Sequence, residues 1–238
     1  MEVVFFPAAF IAEVIGTIAG FGSSTIALPL SLLFFDFRTA LVLVAFLHIF
    51  GNIGRIGFFR HGLDKGIILR FGIPSVILTL IGALLVSYTP QETLKGLLGL
   101  FLVSYSVWSW SGNFQIKAST NTSILGGGLS GFLAGLIGTG GALRGAFLTA
   151  FNLPKEKYIA TAAAIALAVD LTRIPIYLSQ GFLVEKFYWY IPALLVVALL
   201  GSFTGKQVVS KIPQGKFKKV VLVAILLIGV KFIYDWVI

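Results

Sequence analysis

The chain alternates apolar runs with short polar interruptions, and the runs come in two lengths. Ten apolar segments cover about residues 3–19, 24–35, 38–59, 66–88 and 91–111, then 124–137, 142–152, 157–178, 187–209 and 217–236. A helix needs about 20 predominantly apolar residues to cross the hydrocarbon core. The third to fifth segments of each set meet that length, and the first two of each set fall short. The pattern predicts an all-α polytopic membrane protein built from two sets of about five helices. Each set opens with two half-helices around a glycine break. Residues 1–111 form the first membrane repeat, 112–123 a polar linker and 124–238 the second repeat.

The breaks are rich in small and hydroxyl residues. Gly20, Gly22, Ser23, Ser24 and Thr25 interrupt the first pair, and Gly138, Thr139, Gly140 and Gly141 the second. Apolar segments interrupted at corresponding places in two halves are a sequence pointer to a transport site. The halves also share a polar signature. Asn52-Ile-Gly-Arg55 aligns with Asp170-Leu-Thr-Arg173, Pro74 with Pro192, and Pro90-Gln91 with Pro213-Gln214.

Charge sets the expected orientation. The loop after the third segment carries Arg60, Lys65 and Arg70, whereas the matching loop at 179–186 is nearly neutral. Near Pro90 there is little charge, whereas Lys211, Lys216, Lys218 and Lys219 surround Pro213. If basic loops face the cytoplasm, matching loops lie on opposite sides, so the halves are inverted repeats. Lys117 in the linker and the Lys155/Lys157 turn then also fall inside, and both termini outside. A simpler arrangement of eight spans, four per half in parallel, puts one strongly basic loop on the wrong face.

Composition agrees with the pattern. Of 238 residues, 58% are hydrophobic and 11% charged, against about 25% charged in soluble domains; mean hydropathy is +0.99. Met1-Glu2 lacks the basic start of a cleaved signal, so none is expected. The absence of Cys excludes disulfides, thiolate metal sites and a cysteine nucleophile. The net charge of +9 reads as basic cytoplasmic loops in contact with membrane lipids, not as a nucleic-acid surface. No metal or other cofactor is expected. The oligomeric state stays open, a homo-oligomer included.

The chemistry is expected at the breaks and at ionisable residues inside the spans. Unpaired N–H groups and the positive dipole end at a half-helix start attract anions; the bland alternative is close helix packing through small residues. Ionisable residues within spans are functional candidates by default. His48 lies mid-segment, a turn before Asn52, and its counterpart in the other half is Ala166. It can carry a proton or donate to an anion, or merely bond a carbonyl. Asp170 and Arg173, three apart, share a helix face as a proton-coupling site or an ion pair. Arg144 follows the second break by three residues and is expected to face the anion. Glu13 is a proton carrier or a partner of the glycine loop. Arg55, near the basic loop, reads as snorkelling to the interface.

With Gly22 followed by Pro29, and a second Gly-x-Gly-Gly break at 138–141, the whole chain resembles the sulfite exporter TauE/SafE family. That resemblance implies transport of a small anion, typically sulfite or an organosulfur anion such as a sulfonate, across the cytoplasmic membrane. It maps the family's glycine motif onto Gly20, Gly22, Ser23 and Ser24, and in the second half onto Gly138, Gly140 and Gly141. Two departures stand out: Ser23-Ser24-Thr25 where members often run glycines, and Gly145 in place of the second proline.

The leading reading is a secondary transporter of a small anionic substrate working by alternating access, with proton coupling open. The chain carries no nucleotide-binding P-loop. An intramembrane enzyme acting on a lipid phosphate needs a nucleophile–base set or metal ligands, and the only histidines are His48 and His61. An anion channel is the remaining alternative.

Overall fold

The computed structural model describes residues 4–20, 22–59, 62–111, 116–209 and 214–238. Arg60, His61, Lys211 and Pro213 lie outside these, as does the start of the linker. The side chains of Lys216 and Lys218 are likewise not described.

The described residues form ten α-helices and no strand. They are α1 (Phe5–Ala19), α2 (Ser24–Ser31), α3 (Phe37–Phe58), α4 (Lys65–Leu85), α5 (Gln91–Ser111), α6 (Thr120–Ile137), α7 (Gly141–Thr149), α8 (Lys155–Ser179), α9 (Tyr190–Val209) and α10 (Gln214–Val237). Local chemistry sets the boundaries. The Asp36 side chain accepts from the N–H groups of Arg38 and Thr39, which starts α3. Asp64 accepts from Ile67 N–H to start α4, and Ser119 from Thr122 N–H to start α6. Such caps satisfy N–H groups that the helix itself leaves unpaired. Both α1 and α6 end on a left-handed glycine, Gly20 at φ 77° and Gly138 at φ 73°, a conformation that glycine adopts without a steric penalty.

Several expected boundaries shift by three residues or more. The second helix ends at Ser31 although the apolar run continues, because Phe34 and Phe35 turn back onto Phe5. The seventh ends at Thr149. The sixth starts at Thr120 rather than 124, because its first turn is polar and hydropathy does not register it. Four helices combine spanning length with apolar composition: Phe37–Phe58, Lys65–Tyr88, Lys155–Ser179 and Glu185–Val209. At 21 and 24 residues, α5 and α10 are long enough but more polar, with Glu92 and Lys95 in α5 and Lys231 and Asp235 in α10. They pack on each other, Gly96 against Trp236 and Gly99 against Gly229.

Each short pair is a hairpin. A methyl group on Gly16 would lie 2.5 Å from Ser23 Cα, and one on Gly140 would lie 1.9 Å from the Ser130 carbonyl oxygen. The hairpins open toward opposite ends of the bundle. Phe5 and Phe35 meet Phe187 and Tyr190 at one end. There Phe37 N–H also donates to Gln91, and the Thr39 hydroxyl to the Phe182 carbonyl. At the other end Asp64 pairs with Lys157, Lys155 donates to the Val209 carbonyl, and Phe59 packs on Ile159. Leu148, which leads out of the second hairpin, joins Ile67 and Phe71 there.

Packing has the same logic in both halves. α6 lies against α4, and α1 against α9; α3 touches α8 and α9, and α8 touches α3 and α4. Small residues let the backbones approach. Ser75 and Thr79 of α4 donate to the Gly127 and Gly131 carbonyls of α6, at 2.8 and 2.9 Å. Gly201 and Gly205 of α9 lie against Glu13 and Thr17 of α1.

Candidate functional site

A polar chain crosses the interior where α1, α3, α6 and α8 meet. Ser202 of α9 donates to Glu13 Oε1 at 2.9 Å. Glu13 is ion-paired with Arg55, whose guanidinium also donates to Asn52 Oδ1 and Thr17 Oγ1. Asn52 Nδ2 donates to Asp170 Oδ2 at 3.2 Å. Arg173 holds the other carboxylate oxygen, Nη2 at 2.7 Å and Nε at 2.9 Å. It also donates at 2.8 Å to the Ala134 and Gly138 carbonyls, closing the C-terminal end of α6. Tyr177 reaches the Gly135 carbonyl beside it.

His48 stands beside this chain. Its Nδ1 lies 2.8 Å from Asp170 Oδ2, a close electrostatic contact without hydrogen-bond alignment. Its Nε2 is buried without a partner among the described residues. The Nε2 edge faces Gly22, where a methyl group would lie 2.5 Å away; at φ 92° that residue is already in a conformation that disfavours any side chain.

Against this chain lies a small cavity, walled by Gly20, Gly22, Asn52, Arg55, Arg144 and the Ile159, Ala162, Ala163, Ala166 face of α8. Arg144 is the distinctive group on its wall. It is 3% exposed, and its side chain makes no hydrogen bond or ion pair with any described residue. Asp170 is within electrostatic reach of it but is already engaged by Arg173, Asn52 and His48. Taking an ion out of water costs several kcal/mol unless a counter-charge repays it, so the cavity is electrostatically incomplete and calls for a negative charge.

The match to known proteins agrees with this geometry. The family model described as "Sulfite exporter TauE/SafE" covers residues 5–232. The chain belongs to the TauE/SafE family. A relative named "Probable membrane transporter protein MJ0441", from Methanocaldococcus jannaschii, is 25% identical over 218 residues, covering 83% of this chain and 81% of the relative. No solved structure matches the chain. Family membership and the apolar spans make this a multi-pass membrane transporter.

In this TauE/SafE chain the expected site residues divide into groups. Gly20, Gly22, Asn52 and Arg144 line the cavity. Ser24, Thr25 and Thr139 turn toward one another instead: Thr25 Oγ1 lies 2.9 Å from Thr139 Oγ1, and Ser24 Oγ 3.5 Å from it. The two hairpin tips are therefore in contact, and the cavity lies to one side of them. The Ser23 hydroxyl is buried without a partner among the described residues. Gly138 offers its carbonyl to Arg173, Gly140 packs against the Ser130 carbonyl inside the second hairpin, and Gly141 is buried at the start of α7. Among the described residues Glu13 bonds Arg55 and Ser202, and none of the glycine loop. Arg55 does not snorkel: it is 3% exposed, because Glu13, Asn52 and Thr17 hold it inward. The sequence signal for Arg55 was its alignment with Arg173. The signal for the α8 wall was the 159–162–163–166 helical spacing.

Proposed function

We propose that the protein is a secondary transporter of a small anion, sulfite or an organosulfur anion, in the cytoplasmic membrane, and not an enzyme. The observation that carries this reading is Arg144, a buried guanidinium left without a partner among the described residues, on the wall of a small cavity. The anion is its counter-charge, and Asn52 and Arg55 are the donors beside it. Gly20 and Gly22 let the ligand approach backbone, as half-helix breaks do in transporters.

Transport then proceeds by alternating access. The opposite openings of the hairpins and the matched packing of the halves support reading 1–111 and 124–238 as inverted repeats. Each repeat rocks against the other about the touching tips. At the end of the bundle where α8 begins, the Tyr158 ring lies beside Gly20 and its hydroxyl donates to the Gly145 carbonyl at 3.3 Å, and Lys157 bridges to Asp64. Opening that end requires parting these contacts.

The test is flux into vesicles reconstituted with the purified protein. Sulfite and small sulfonates should saturate and counter-exchange, and Arg144→Gln should abolish both. Flux that is linear in concentration and insensitive to Arg144→Gln would overturn the carrier reading.

A further inference from the structure

Among the described residues, the buried acidic, basic and histidine side chains are Glu13, His48, Arg55, Arg144, Asp170 and Arg173. All six lie in or beside the one polar cluster. Each carboxylate sits against an arginine, Glu13 on Arg55 and Asp170 on Arg173. Arginine does not give up its proton in proteins. With His48 neutral, three guanidinium groups face two carboxylates, so the cluster carries one positive charge. Isolated net charge inside a membrane is expensive, and the empty and loaded states differ by the charge that the cargo brings.

From this count we infer that the site holds its cargo as a single negative charge: a univalent anion enters alone, and a divalent anion of the same size enters with one proton, held on His48. The inference rests on the transporter reading above and adds the valence of the cargo to it. His48 suits the task on geometry. Its Nδ1 lies against Asp170 and its Nε2 is unpartnered, so one ring nitrogen is free to take a proton without breaking any hydrogen bond. The imidazole lies against Gly22, which lines the cavity, and is not itself part of the lining, so a proton there adds charge to the site without touching the anion. From the packed elements, the charged groups that act on this proton are Asp170 on α8, Arg55 on α3 and Arg144 on α7, and Asn52 on α3, Glu13 on α1, and Arg173 and Tyr177 on α8 stand next along the same polar chain. Of these, Asp170 is the carboxylate in contact with the imidazole. The position is asymmetric: the matching residue in the second half is Ala166, which lines the cavity itself.

Sulfate and methanesulfonate test this cleanly. They share size and shape, and their charges are fixed between about pH 5.5 and 8.5, so neither needs to change protonation to bind. Calorimetry on the purified protein, run in buffers of different ionisation heat, counts protons taken up on binding. We expect uptake approaching one proton per sulfate above neutral pH and none per methanesulfonate. Sulfate affinity should rise up to about tenfold for each unit of acidification, as linkage to one proton requires, and methanesulfonate affinity should stay flat. His48→Gln should erase the sulfate slope. Because the wild-type comparison is decisive by itself, misfolding of that variant would not rescue the proposal. Equal pH profiles for the two anions, with no proton uptake, would overturn the valence rule while leaving the transporter reading intact. If neither anion binds at any pH and sulfite does not either, the transporter reading falls, and this inference with it.

Discussion

Asn52 of α3 donates its side-chain N–H to the carboxylate of Asp170 on α8 at 3.2 Å, and each of the two is followed three residues later by a buried arginine. One is neutral and the other charged, so the two helices share one carboxylate at their crossing. Asp170→Asn would leave Arg173 buried without its counter-charge, a loss of about 3–5 kcal/mol. Asn52→Ala removes a hydrogen bond to a charged group, about 1.5–3 kcal/mol. The exchanged pair, Asn52→Asp with Asp170→Asn, preserves the buried charge and moves the carboxylate toward Arg55. It should therefore be more stable than Asp170→Asn alone, as read from thermal unfolding in detergent.

Gly22 and Gly57 provide a matched contrast. A methyl group on Gly22 meets His48 Nε2 at 2.5 Å and sits at a φ of 92°, whereas nothing lies within 4 Å of one on Gly57. Gly22→Ala is expected to abolish anion uptake. Gly57→Ala, in the last turn of α3, should leave uptake within twofold and raise stability by up to about 1 kcal/mol through helix propensity. Equal uptake by both variants would show that the His48–Gly22 contact has no part in transport.

Topology is open to direct labelling, because the chain contains no cysteine. Single cysteines at Leu63 and Glu156, at one end of the bundle, should react with an impermeant maleimide from the same side of the membrane. Cysteines at Ser87 and Val184 should react from the opposite side. The basic loops assign the first pair to the cytoplasm. Labelling of Leu63 and Glu156 from different sides would refute the inverted arrangement.

Asp64 gives a pH dependence outside the membrane. The Ile67 N–H first, and then Lys157, hold its carboxyl below the usual carboxylate range. A group depressed in the folded state stabilises the fold above its unfolded value, and that contribution is lost as pH falls through the folded value. Asp64→Ala should cost about 1 kcal/mol at neutral pH, the typical worth of a helix cap. The gap between variant and parent should close below about pH 4, near the unperturbed carboxylate value. A gap that stays constant on acidification would mean that the cap acts through shape alone.

Hydrophobic length and glycine position made the helices and both hairpins legible in the sequence, because span length and backbone breaks are local properties. The start of α6 was not, since Thr120–Ser123 look polar until Ser119 is seen capping them. For the site, Arg144, Asn52, Gly20 and Gly22 were readable as candidates. The placement of Arg55 was not. Its inward turn depends on Glu13, 42 residues earlier, and no local pattern encodes that meeting. The contact of Thr25 with Thr139 is longer in range still, and it moved three expected anion donors into contact with each other.

Pairing within each half bears on how the chain is made. Arg55 finds Glu13, and Arg173 finds Asp170 and the Gly138 carbonyl, each partner lying earlier in the same half. As each half leaves the ribosome, its arginine meets an already synthesised counter-charge in the lipid, without waiting for the other half. The Asn52–Asp170 bond and the touching hairpin tips are then the late joints, formed when the two halves dock. Biogenesis can therefore settle each of these two ion pairs within its own half, and Arg144 is the one buried charge among the described residues that neither pairing compensates.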